Sequence, residues 1–451
     1  MTECGAAAPL VHAATHLRFS DLPQAVVTMT THCVLDTLGV ALAGTTEPVT
    51  RIVRQTMTAE HADGPARIWG TSQSTAASVA ATVNGTAAHA LDFDDWAPGS
   101  GIHPSAPILP ALIAVGEEIG CSGAELITAY VAGYELQERI GMAIGPSHYA
   151  RGFHTTGTVG TFGAATAVGH LLGANADQLT MALRIAATQA AGLKAMFGSM
   201  GKPLHAGRAA AAGVQAARLA MNGFIASEDA LFGAQGFVAT HADELDETPL
   251  RTPFGDPWHV LETRNKEHAA CFGTHGAIDA ALTMRGTPNF DPRMIEAIEL
   301  DIPPICIGVC TIAEPRTMLE SKFSIAFVTA LALVNGTAAA DQFTEAALHD
   351  PEIGRLTQSV RIRPNPDLAK TETQVCLRMH DGSVVRASAD SGQRSWFDDV
   401  SEQDQRIQSK FCALAGPHVS YSRAAVIAEQ VDRLERCLDI RTLTRTWTPP
   451  E

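Results

Sequence analysis

The chain has 451 residues, 46% hydrophobic and 18% charged, enough for two or three folding units and too apolar for global disorder. Its 32 basic and 48 acidic side chains give a net charge of −16 with no Lys/Arg cluster, which argues against a nucleic-acid partner. No run reaches about 18 uninterrupted apolar residues, and the N-terminal stretch lacks a basic segment followed by a compact apolar one, so a cytoplasmic protein with no membrane partner is expected.

Residues 1–255 read as helix after helix. Asp21-Leu22-Pro23 predicts an N-cap and a proline in the first turn of an amphipathic helix running to about Ala43. Ser122 to Glu125 and Asn175 to Gln178 are capping-box patterns. Gly and Ala recur at three- and four-residue spacing over 155–173 and 202–224, the mark of closely approaching helix backbones. Beyond Arg251, prolines punctuate shorter units. Residues 297–302 and 359–364 predict strands, and alternation over 373–390 around Asp381-Gly382 predicts a hairpin. One helix over 319–336 interrupts them, and Cys306 and Cys310 are expected on one face of a strand. The nine cysteines contain no CxxC pair, so reduced thiols are expected. The prediction is a mainly α fold: a helical domain over 1–255, a smaller α+β domain over 256–400, and helices over 401–451 that return to the first.

The densest chemistry lies in His89-Ala-Leu-Asp92-Phe-Asp94-Asp95-Trp96, followed by His103-Pro104-Ser105. Three carboxylates crowd a predicted helix C-terminus, where the dipole and mutual repulsion disfavour them. An acidic capping loop, a Mg²⁺ or carbocation site of the DxDD kind, and an acid/base pair of Asp92 with His103 all fit that string. A facing acidic motif for Mg²⁺ does not stand out. Three more segments add polar groups. His154 precedes a helix start. Lys202 stands just ahead of a helix opened by proline, with His205 following. Lys266, His268, Cys271 and His275 fall within eleven residues. Only six of the 32 basic residues are lysine, so Lys202 and Lys266 in these segments favour roles that need an amine.

In this order and spacing, HALDFDD with HPSAPILPAL, GFHTTGTVGTFGAATA, KPLHAGRAAAAGVQAARLA, KEHAACFGTH and LESKFSIAF resemble the MmgE/PrpD family over about residues 15–400. The resemblance implies a large helical domain with an α+β lid, usually in a homodimer. It also implies chemistry without metal or organic cofactor on a small di- or tricarboxylate bound between the domains. Carried over by position, the pocket falls on Asp92, His103, His154, Lys202 and Lys266. Lys322, His205, His268 and His275 are added as substrate-binding candidates. The shared act would be proton transfer at a carbon activated by a carboxylate, with the lysines neutralising substrate charge and a histidine as base.

The family includes 2-methylcitrate dehydratase, cis-aconitate decarboxylase and iminodisuccinate epimerase. Against the decarboxylase pattern, this chain has Cys271 for a histidine, Ile307 for a tyrosine and Trp96 for a threonine. Loss of the first two weakens the decarboxylase reading and leaves dehydration or epimerisation open, with dehydration of a 2-methylcitrate-like hydroxy acid the simplest expectation. The alternative is an epimerase with Cys271 as one of two bases, or a cis-aconitate decarboxylase-like enzyme. A Mg²⁺-dependent enzyme and a non-catalytic helical scaffold stand further off.

Overall fold

Small residues decide how the helices meet. Gly85, in the helix Ala77–Ala90, faces Gly207, in the helix Gly201–Met221. A Cβ on Gly207 would lie 2.2 Å from the Thr82 carbonyl oxygen, and one on Gly85 2.9 Å from the Gly207 Cα. Backbone therefore rests on backbone, and no larger residue fits without separating the helices. The crossing joins the helix whose C-terminus leads to Asp92 to the helix whose first turn carries Lys202. Gly207→Val is expected to cost about 1–3 kcal/mol by overpacking, read from the urea midpoint, with activity falling as the helices part.

The computed structural model describes residues 5–59, 63–393 and 399–448. The fold is mainly α. Both capping boxes form: the Ser122 side chain accepts from the Glu125 N–H at 3.2 Å, and that of Asn175 from the Gln178 N–H at 2.9 Å. Asp21 does not cap the following helix. Its carboxylate accepts from the Arg18 N–H at 2.9 Å within a short turn, and Pro23 stands at the N-cap of Gln24–Gly44. That helix is not amphipathic either. It is long and apolar enough to cross a bilayer, yet 89% of its apolar window is buried among the other helices. Leu38, Leu109, Tyr130 and Phe162 share one apolar core with Phe411, Val431 and Trp447 from the C-terminal helices.

A two-stranded ribbon pairs β1 (Ala66–Arg67) with β2 (Ser74–Thr75). The other sheet contains β3 (Ile295–Ile302), β4 (Val360–Pro364), β5 (Glu372–Met379) and β6 (Val384–Asp390), in the order β4-β3-β5-β6. Only β3 and β4 run parallel, with Ile298 opposite Val360. The hairpin turns at Asp381-Gly382 as expected, and Gly382 supplies the left-handed φ of 84° that the turn needs. Ile298, Leu300, Val375 and Leu377 pack with Ile278 and Leu331 in a second core.

Two local expectations fail here. The helix expected over 319–336 is broken: Met318–Ser321 is a single turn, and Ile325–Asn335 starts afresh with Ser324 as its cap. Lys322 sits in the break. Cys306 ends a 3₁₀ turn and Cys310 follows in a loop, because Pro303 and Pro304 cannot continue a strand ladder.

The segment linking the two parts is held by Arg139. Its buried guanidinium pairs with Glu135 and donates to the carbonyls of Thr252 at 3.2 Å and Pro253 at 2.9 Å.

Candidate active site

The Ala77–Ala90 helix ends two residues before Asp92, which takes a left-handed φ of 51°. Asp tolerates that conformation better than most residues, and the buried carboxylate meets two amines. Its Oδ1 accepts from Lys202 Nζ at 2.7 Å and Lys266 Nζ at 2.8 Å, while Lys266 also donates to the Asp92 carbonyl at 2.8 Å. Lys322 Nζ holds the neighbouring Leu91 carbonyl at 2.6 Å. Burial alone would raise the Asp92 pKa, but Lys202, then Lys266, then His103 and His89 outweigh it and hold the carboxyl well below its usual range. Asp92 Oδ2 remains buried with no hydrogen-bond partner.

Beside it, Asp94 Oδ2 accepts from His89 Nδ1 at 2.7 Å and lies 3.4 Å from His103 Nδ1. His103 Nδ1 is 2.8 Å from the Asp95 carbonyl. A carbonyl only accepts, so His103 carries its proton on Nδ1 and leaves the Nε2 lone pair bare. The expected pairing of Asp92 with His103 is therefore not made; Asp94 and the Asp95 backbone take that place, because Asp92 is occupied by lysines. His154 is the N-cap of the turn Thr155–Thr158. Its Nδ1 meets His205 Nδ1 at 3.0 Å, and its Nε2 is buried without a partner. The His89 ring stacks on His154 at 5.6 Å and meets His103 edge-on at 4.7 Å. Burial first, then nearby lysines and histidines, pushes His103 and His154 well below the usual imidazole range, so both are neutral at pH 7.

The ligand atoms of His89, Asp92, Asp94 and His103 lie within 4.8 Å of one another. A divalent ion does not suit this cluster, because two ammonium groups already neutralise Asp92 and would repel a cation.

Asp95 behaves differently from its neighbours. Buried and touched only by Ser105 donors, which are weaker than a cation, its carboxyl is pushed up to about 8, chiefly by burial. An acid whose folded pKa exceeds its unfolded value of 3.8 takes up a proton on folding. Asp95 thus favours the fold fully below pH 3.8 and less and less up to about pH 8. Asp95→Asn, which stays neutral, is expected to flatten the decline of the thermal midpoint between pH 6 and about 8.

A cavity of about 310 Å³ opens above these groups. Asp92, His103, His154, Lys202 and Cys271 line it. Lys202 belongs to the first turn of Gly201–Met221 rather than preceding it, and its ammonium lies 5.4 and 5.2 Å from the ring centres of Phe197 and Phe323. Lys266 lies in the floor beneath Asp92. Cys271 is partly exposed, and its thiol is lowered chiefly by a hydrogen bond with Cys310.

Four expected pocket residues lie elsewhere. Lys322 faces the Leu91 carbonyl below the floor, and burial pushes it down to about 8. His205 stands behind His154. His268 is turned onto Asp279 at 2.8 Å, and His275 onto the Ala270 carbonyl at 3.3 Å. His268 precedes the 3₁₀ turn Phe272–Thr274, and His275 opens the helix that follows it. Ile307 is also outside; Ile305 and Val309 face the cavity instead.

Sequence reasoning did not select His89, Asp94 or Lys410. The first two were legible within the HALDFDD string. Lys410, from the helix Val400–Val419, gave no local signal. Its Nζ donates to the carbonyls of Phe93 at 2.7 Å and Lys266 at 2.8 Å and pairs with Asp36 at 2.6 Å, fastening both loops that carry the floor.

Residues 9–248 match the MmgE/PrpD N-terminal domain, and residues 268–436 match the MmgE/PrpD C-terminal domain. The chain belongs to the MmgE/PrpD family. Among curated relatives it is 28% identical to a cis-aconitate decarboxylase of Homo sapiens, over 96% of this chain and 93% of that protein. It is 28% identical to one of Aspergillus terreus, over 99% and 96%. A cis-aconitate decarboxylase-like protein of Aspergillus oryzae is 26% identical over 97% and 96%. These MmgE/PrpD relatives align with both parts of the chain and with the segment that joins them.

Proposed function

We propose that this protein is a lyase that removes a proton from the carbon beside a carboxylate of a small hydroxy acid bearing two or three carboxylates, expelling water. The observation that carries this reading is the fixed tautomer of His103. Its Nδ1–H is committed to the Asp95 carbonyl, so Nε2 is a bare base at the wall of a cavity that also holds the Lys202 ammonium. Lys202 pairs with a substrate carboxylate and stabilises the charge that develops as the proton leaves. Dehydration also needs an acid for the departing hydroxyl. His154, which shares a proton with His205, meets that need when its Nε2 is the protonated nitrogen. The carbon loses a proton to His103, and the hydroxyl leaves as water with the His154 Nε2 proton. His154 Nδ1 takes the proton of the half-buried His205, which solvent restores.

Decarboxylation is the second reading, favoured by the names of the relatives. It needs only an acid, and the bare base would then have no task. Incubating the enzyme with di- and tricarboxylic acids in deuterated water, followed by NMR, separates the two. New vinyl signals with all carbons retained support dehydration, and loss of one carbon supports decarboxylation. Absence of both turnover and deuterium uptake throughout the panel contradicts the enzyme reading.

A further inference from the structure

The charges around the cavity limit what it can hold. In the floor, Lys202 and Lys266 face the ionised Asp92 and Asp94, while His89, His103 and His154 are neutral. Lys322 adds at most one positive charge from below. Among the described residues no arginine lines the cavity, and the only other lysine there is Lys370, exposed like Asp246, which also lines it. Three carboxylates would enter with too few cations to meet them, and a buried charge without a partner is costly.

Much of the rest of the wall is apolar, with Ser100, Tyr149 and Thr371 as its polar exceptions. Trp96 stacks on Phe272 with ring centres 4.4 Å apart, and Ile305, Val309 and Phe323 complete the surface. Ile305 is 46% exposed, so an apolar arm laid against it would cover surface that is now open to water.

We propose that the substrate is a dicarboxylate carrying an aliphatic or aromatic arm. One carboxylate sits on Lys202, the arm lies along Trp96–Phe272 and Ile305–Val309, and the second carboxylate points to Lys370. This rests on the lyase reading above and narrows it: a compact tricarboxylate lacks cations here, and a short dicarboxylate leaves the apolar wall uncovered.

The test compares kcat/KM for 2-hydroxy-dicarboxylates bearing hydrogen, methyl, propyl or benzyl with that for hydroxy-tricarboxylates, each assayed also for deuterium uptake. Burying a methylene is worth about a fourfold gain, so the rate constant is expected to climb about that much per carbon and the tricarboxylates to fall at least tenfold below the propyl acid. Trp96→Thr, and separately the near-isosteric Val309→Thr, are expected to shrink the propyl-to-hydrogen ratio by about tenfold. Circular dichroism checks that each variant is folded. A flat series, or tricarboxylates as the best substrates, overturns the proposal while leaving the lyase reading intact. A lack of both turnover and deuterium uptake with every one of these acids overturns both.

Discussion

Lys202→Met is expected to lower kcat/KM by about 10²–10³-fold, the usual loss when one preorganised donor to a developing anion is removed. Its amine is the floor cation that also lines the cavity, since Lys266 is fully covered beneath Asp92. The loss is not expected to come from unfolding. Asp92 keeps Lys266 at 2.8 Å, so the change leaves no lone buried charge. Met replaces the alkyl stem against Phe197 and Phe323 at similar volume. Steady-state kinetics beside a urea titration check both halves. An unchanged urea midpoint with a collapsed rate is the expected pair. Near-normal turnover would remove Lys202 from the chemistry.

Lys410→Met should act through stability. The ammonium is buried against Asp36, and removing one member of such a pair costs about 3–5 kcal/mol because the other charge is left without a partner. Burial already raises the Asp36 pKa, with Lys410 holding it down, so the isolated carboxyl would take up a proton. The Phe93 and Lys266 carbonyls lose their shared donor at the same time. The double change Asp36→Asn with Lys410→Met is expected to recover more than half of the lost stability but not the rate, since the two loops are still unfastened. Urea midpoints of the four proteins, with turnover measured well below unfolding, decide this. Full recovery of both would make the pair purely structural.

How much of this was legible in the sequence depends on the range of each interaction. The Ser122 and Asn175 boxes were readable because a cap is decided within four residues. The Asp381-Gly382 hairpin was readable for the same reason. Asp21 misled because the same short acid serves a turn on its own N-terminal side as readily as a helix ahead. The meeting of Asp92 with Lys202 and Lys266, across 110 and 174 residues, lies beyond any spacing argument and was reached through family resemblance. The crowded segment from Lys266 to His275 also suggested His268 and His275, which are engaged by Asp279 and the Ala270 carbonyl instead. Lys410 meets two backbone carbonyls and a carboxylate 374 residues away, and neither kind of contact leaves a local motif.

The central claim is that a substrate carboxylate rests on Lys202 with the reacting carbon beside His103 Nε2. A crystal structure with an unreactive analogue of the best acid in the panel tests it most directly. The predicted result is a carboxylate oxygen within hydrogen-bond distance of Lys202 Nζ and the reacting carbon in van der Waals contact with His103 Nε2. An analogue bound away from both groups, with the Asp92–Lys202 pair untouched, would contradict it.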